Sequence, residues 1–400
     1  MTVNGADEPT VTSASETRDD LPLKGVLVAD FSRVLAGPLA TMTLADLGAD
    51  VIKVERPGLG DETRAWGPPF TEHGTTYYAS VNRTKRSLAL DLTYPQDLAL
   101  ARELATRADV VIENFKPGTM ERLGLGYDNL SRDNPGVIYC SISGFGATGG
   151  RELLGYDFVV QAASGLMSIT GTPDEATKVG VAVVDVLTGK DAVIGILAAL
   201  HARGRDGRGE RLEISLLTSA LGGLANQAQA ALATGRSPAR MGNKHPSIAP
   251  YETLRCADGE MAVACGNDGQ FRRLASALGR PALADDVRFA TNAARVTHRL
   301  DLIAALEEVL LTAPAAHWVA ALGDAHVPSG IVGSILDGIA LAERLGLDPT
   351  VHVGPGHPPQ VRHPVRWTHR GTAAPTPPPA LGEHDAEIRA WLAAPPPSAS

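Results

Sequence analysis

Between Val179 and His201 the chain reads VGVAVVDVLTGKDAVIGILAALH, an apolar stretch that carries the carboxylate of Asp185 near its start. Taking such a charge out of water is costly unless something compensates it. Two roles fit. Asp185 stands just before a helical pattern that begins near Leu187, so it can be an N-cap whose oxygens accept amide hydrogen bonds, worth about 1 kcal/mol. The same position would hold an ionised carboxylate at a turn, which is what a nucleophile toward an acyl carbon requires. Spacing alone leaves both roles open.

Other stretches could hold a ligand. SRVLAGPLATMTLADLGADVIKVERPGLGD strings together a strand, a Gly-Pro turn, a helix, a strand and a second glycine-rich turn, with Arg56 directly after the second strand. Backbone amides at such turns can hold a phosphate or an acyl carbonyl. In ENFKPGTMERLGLGYD, residues Asn114, Phe115 and Lys116 follow the strand candidate DVVIENF at the edge where open α/β sheets bind ligands. The plainer reading is a strand-to-helix turn with Pro117 opening the helix. Tyr156 and Asp157 precede another apolar segment, and His245 in MGNKHPSIAPY is a lone histidine that a surface or structural role would equally explain. Lys53, Arg56, Arg64, Arg83, Lys85, Arg86, Lys116 and Arg122 form a local excess of cations. They read either as a solvated face or as a surface for a small polyanion.

Several chemistries have no motif here. The chain has no G-x-G-x-x-G after its first strand, no G-x-x-x-x-G-K-[ST], no G-x-S-x-G, and no H-x-x-x-H or C-x-x-C. Nicotinamide, ATP, serine-hydrolase and metal chemistry are therefore not indicated. A net charge of −9 argues against nucleic acid as partner. Three cysteines without paired spacing, a polar acidic N-terminal stretch and the lack of a long apolar run lead us to expect a cytoplasmic protein outside the membrane.

The elements that must position these residues alternate. GVLVADFS, DVIKVE, SLALDL, DVVIENF and GVIYCSISGFG read as strands, with helical patterns in GPLATMTLADLGA and PQDLALARELATRA between them. A further helix is expected over residues 188 to 203, and a strand followed by a long helix over 211 to 233. The class is α/β, a mainly parallel doubly wound sheet. At 400 residues more than one core is expected. We place a disordered tail at 1–21, a large Rossmann-like domain at 22–224, a smaller α+β domain at 225–330, a return to the large domain at 331–390 and a Pro-rich tail at 391–400.

Taken together and in order, RVLAGP, LADLGADVIKVE, TKRSLALDL, ENFKPG, ERLGL, SGFGATG, GYDFVVQAASGLMSITG, VVDVLTGKDAVIGILAAL, GNKHPSIAPY and LGEHDAEI resemble the family III CoA-transferases, the group of formyl-CoA and carnitine CoA-transferases. The resemblance implies a nucleophilic role for Asp185, through a mixed anhydride and an aspartyl-CoA thioester. It implies CoA contacts at Val34, Ala36, Arg56, Leu90, Asn114, Phe115 and Arg122, and a substrate pocket with Trp66, Tyr156, Gly242 and His245. Acyl-CoA and a free carboxylic acid would be the substrates, succinyl-CoA a family-level donor, with no permanently bound cofactor and no metal. The implied fold is a homodimer of ring-like chains interlocked like links. Leu154 stands where formyl-CoA transferase-like sequences offer a lysine to a phosphate. The racemase branch, resembling α-methylacyl-CoA racemase, uses a histidine in G-H-D. Here the sequence is Gly155, Tyr156, Asp157, and a phenol is a poor base at neutral pH. A non-catalytic CoA-binding protein is the remaining alternative, and it leaves Asp185 without a purpose.

Overall fold

The computed structural model describes residues 21 to 395. Of the two expected tails, residues 1 to 20 and 396 to 400 lie outside that range. The described chain divides into two compact units, one of residues 21 to 160, 182 to 223 and 348 to 395, the other of residues 161 to 181 and 224 to 347.

In the first unit, strands β1 (Leu27–Asp30), β2 (Asp50–Glu55), β3 (Arg86–Ala89), β4 (Val110–Glu113), β5 (Ile138–Ser143) and β6 (Glu210–Ser215) form one sheet in the order β3-β2-β1-β4-β5-β6. Every neighbouring pair is parallel. Val28, Ala29, Ile52, Val111 and Ile112 are buried almost completely, as continuous apolar strands of a sheet covered on both faces must be. Strand order reverses between β1 and β4, so their carboxyl ends open the crevice where doubly wound sheets take their ligands.

The longest helices of this unit among the described residues are α1 (Ala36–Asp46), α2 (Pro95–Arg107) and α3 (Val183–Asp206). Pro95 opens α2, where a missing amide proton costs nothing. Leu104 and Ala105 of α2 share a core with Ile388 and Leu392 of the helix Asp385–Ala393. α3 starts at Val183, earlier than its apolar pattern indicated, so Asp185 lies inside the first turn and not before it. α1 and α3 pack closely because Gly189 has no Cβ: one built there would stand 2.7 Å from the carbonyl oxygen of Ala36. The long helix expected after β6 is divided into Leu216–Gly223 and Ala225–Thr234, with Ala225 at a φ of 42°.

The second unit has a three-stranded antiparallel sheet of β7 (Tyr251–Cys256), β8 (Gly259–Ala264) and β9 (Ser329–Ile331), with β8 in the middle. Phe271, Leu274, Leu306, Leu310 and Trp318 from its helices bury against Leu254 and Met261 of the sheet. No single helix among the described residues is long and apolar enough to cross a membrane.

Candidate active site

The turn from β1 into α1 is held from three sides. Asn114, just past β4, accepts the Arg33 amide through Oδ1 at 2.9 Å and donates Nδ2 to the Arg33 carbonyl at 2.7 Å, clipping the two strand ends together at the switch point. Val34 adopts a φ of 70°, a conformation β-branched residues avoid, and its amide points at the Asp61 carboxylate at 3.2 Å. Beneath the turn lies a set of buried charges. Lys53 donates to the Ser32 carbonyl at 2.8 Å and pairs with Asp61 at 3.0 Å. Asp30 receives the Ser32 amide and the Thr41 hydroxyl, and pairs with Lys85 at 3.1 Å. Burial raises the Asp30 pKa, but the two lysines and the hydroxyls outweigh it and hold the carboxyl below its ordinary value. Lys85, fully buried and repelled by Lys53, is pulled down to about 8 by desolvation despite Asp30.

The residues expected to touch CoA fall around this edge. Val34 is in the β1–α1 turn and Ala36 opens α1, Arg56 follows β2 and is exposed, Leu90 follows β3, and Asn114 and Phe115 follow β4. Arg122 ends the short helix Thr119–Arg122 and is exposed. Leu90 buries its side chain in the core, so what it offers a ligand there is backbone. Phe115 carries the Arg33 guanidinium on its ring at 5.2 Å. Most of the cations that read as a surface excess are occupied elsewhere. Lys53 and Lys85 are buried with aspartates, Arg64 pairs with Glu55, Arg83 with Asp46 and Arg86 with Asp50.

Asp185 stands one turn before Gly189, and therefore on the face of α3 that meets α1. It does not cap the helix. The Val184 and Asp185 amides donate to Oδ1 of Asp157, at 2.8 and 3.2 Å, so a carboxylate 28 residues earlier does the capping. Among the described residues no donor is hydrogen-bonded to the Asp185 carboxylate. Half-buried, and with Asp157 adding a like charge, its pKa is pushed up to about 7. This differs from the freely ionised carboxylate the sequence implied.

Tyr77 borders the same spot. Burial, then the charges of Asp185 and Asp157, raise its phenol to about 12, and its ring meets Trp66 edge-on at 5.3 Å. Nothing in the spacing of TTYYAS distinguishes Tyr77, so the sequence missed it. Tyr156, next to Asp157, is 60% exposed. On the second unit, Gly242 has a φ of 63° and donates to the Gly171 carbonyl at 2.8 Å, while His245 Nδ1 accepts the Ser247 amide at 3.1 Å. A cavity of about 410 Å³ lies beside Gly242, walled by Arg240, Lys244 and Glu252.

The family model described as CoA-transferase family III matches residues 23–385. The chain belongs to that family. The succinate–glutarate CoA-transferase of Agrobacterium fabrum is 45% identical, over 93% of this chain and 96% of that protein. The succinyl-CoA:glutarate CoA-transferase of Mus musculus is 40% identical, over 92% and 85%. The crystal structure of a CAIB/BAIF family protein from Brucella suis superposes with a TM-score of 0.85 at 45% identity, covering 93% of this chain and all of that one. The family III enzyme is thus a CoA-transferase that takes acyl-CoA and a carboxylic acid, and its parallel α/β sheet is the expected one.

Proposed function

We propose that this CoA-transferase moves CoA from succinyl-CoA to a second dicarboxylic acid, glutarate or a close analogue, by covalent steps on Asp185. The substrate pair is supported by the names of the two relatives. The observation that carries the mechanism is the Asp185 carboxylate, left without hydrogen-bond donors in the first turn of α3 because Asp157 takes the capping role.

The steps balance without a resident cofactor. An Asp185 oxygen attacks the thioester carbonyl, the C–S bond breaks, and a mixed anhydride and CoA thiolate result. The thiolate attacks the aspartyl carbonyl, releasing the donor acid as carboxylate and leaving an aspartyl-CoA thioester. The acceptor carboxylate attacks that thioester to give a second anhydride, and the thiolate takes the acceptor acyl group and frees Asp185. Each side of the balance holds one thioester and one carboxylate. Val34, Ala36, Arg56, Leu90, Asn114, Phe115 and Arg122 bind CoA in this scheme, and Trp66 and Tyr156 wall the acyl group. For Gly242 and His245, on the second unit, a substrate role rests on the family motif.

The enzyme acts as a homodimer of interlocked chains. A cavity of about 1290 Å³ in the first unit, lined by apolar side chains such as Leu39, Met42, Ile194 and Trp367, supports a second copy as its occupant. Buried, unpaired Cys140, Cys256 and Cys265 fit a reducing cytoplasm.

Donor acyl-CoA alone, quenched rapidly, is expected to leave an acyl or CoA adduct on the Asp185 peptide in mass spectrometry. An adduct on Asp157 instead, or none, overturns the assignment. Sedimentation over a wide dilution range should show no folded monomer.

A further inference from the structure

At the carboxyl end of β4 the chain turns through Gly118, whose φ of 87° leads into the helix Thr119–Arg122. Two guanidinium groups converge on this glycine. The position a Cβ would take lies 2.8 Å from Nη2 of Arg151 and 3.5 Å from Nη1 of Arg122. Any side chain at 118 would therefore push Arg151 aside. Arg151, on the loop after β5, is aimed there by a hydrogen bond from its Nη2 to the Pro117 carbonyl at 3.3 Å, and Arg122 by one to the Thr119 hydroxyl at 3.0 Å.

The charges here do not cancel. Glu152 pairs with Lys116 at 2.5 Å and with Nε of Arg151 at 3.6 Å, whereas Arg122 has no carboxylate partner among the described residues. Two guanidiniums facing one bare stretch of backbone repel each other, and an anion between them converts that repulsion into charge-assisted hydrogen bonds. The point lies at the sheet edge where a doubly wound fold receives phosphate-bearing ligands. Leu154, three residues from Arg151 and 80% exposed, cannot serve a phosphate.

We propose that Arg151 is a phosphate-binding residue of the acyl-CoA site, forming with Arg122 a guanidinium clamp over Gly118. In this chain it supplies the cation that Leu154 cannot. The ligand chemistry is a phosphate of CoA, either the 3′-monoester or the diphosphate bridge. The inference rests on the CoA-binding reading of this edge of the sheet.

Titration calorimetry of wild type, Arg151→Ala and Arg151→Lys with CoA and with dephospho-CoA tests it, alongside turnover of an S-acylpantetheine that carries no nucleotide. Arg151→Ala should weaken CoA by about tenfold or more, Arg151→Lys should recover part of that loss, and both should turn over the truncated thioester as wild type does. A loss seen with CoA but not with dephospho-CoA assigns the 3′-phosphate, and an equal loss with both assigns the diphosphate; either supports the clamp. Unchanged CoA affinity in Arg151→Ala overturns it, as does an equal loss of activity on S-acylpantetheine, which marks a merely structural loop contact. A wild-type protein with no affinity for CoA would overturn the functional reading itself.

Discussion

Asp30 and Asp185 are both carboxylates set in apolar sequence within the first unit, and the protein treats them in opposite ways. Asp30 receives a backbone amide, two hydroxyls and a lysine, and it stays ionised below the ordinary range. Asp185 receives burial and a like-charged neighbour, and it is pushed up to about 7. Where a charge holds a turn in place, its partners are complete. Where we propose that it reacts, the partners are withheld, and burial beside a like charge raises its pKa instead. The β1–α1 turn with its strained Val34 needs the first kind of carboxylate, and the proposed thioester attack uses the second.

The comparison breaks most visibly at Asp185. Asp185→Asn should lower turnover by about three orders of magnitude or more while the melting temperature stays the same or rises, since a neutral amide removes both the proposed nucleophile and the like-charge repulsion. Normal turnover by this variant would place the chemistry elsewhere. Next in size is Asp30→Ala, which strands Lys85 and should cost about 3 to 5 kcal/mol in a denaturant titration. It would do its damage through stability, and a stable but inactive Asp30→Ala would contradict a purely structural network.

A smaller effect separates the two aspartates near α3. Asp157→Asn keeps an oxygen to cap the Val184 and Asp185 amides but removes the charge that helps hold the Asp185 pKa up. In the proposed mechanism Asp185 must be ionised to attack, so wild-type kcat/KM should rise with pH through about 7. In Asp157→Asn that acidic limb should move to lower pH, by up to about one unit, with burial still keeping it above the ordinary carboxylate range. An unmoved limb would mean that burial alone sets the value.

The sequence showed the α/β class and the glycine turns at the strand ends, because β-α-β alternation and such turns are local signals. It also exposed Asp185, since a charge in VGVAVVDV is conspicuous. The pairings that build the turns were hidden by distance along the chain. Asp157 caps from 28 residues away, Asn114 clips a turn 81 residues earlier, and Tyr77 lies in a stretch with no period. The cations misled for the same reason: Lys53 in VIKVE and Lys85 in TKRS look like surface charges until the fold supplies Asp61 and Asp30. A lysine inside a strand of a doubly covered sheet was the signal that could have marked them as buried.

The subtlest consequence lies in stability. Asp185 has a folded pKa of about 7, above its ordinary value of 3.8, so the native state binds this proton more tightly than the unfolded chain. The stabilisation from that proton is complete below the ordinary value and is lost as pH rises toward about 7. Asp30, held below its ordinary value, has the reverse dependence: its contribution is present above the unfolded pKa and fades as pH falls through the folded one. Subtracting the melting curve of Asp185→Asn from that of wild type isolates the first contribution. The difference should grow against wild type from pH 4 to 7 and level off beyond. A difference independent of pH over that range would show that Asp185 is already ionised throughout, and that the contrast with Asp30 lies in geometry rather than in charge.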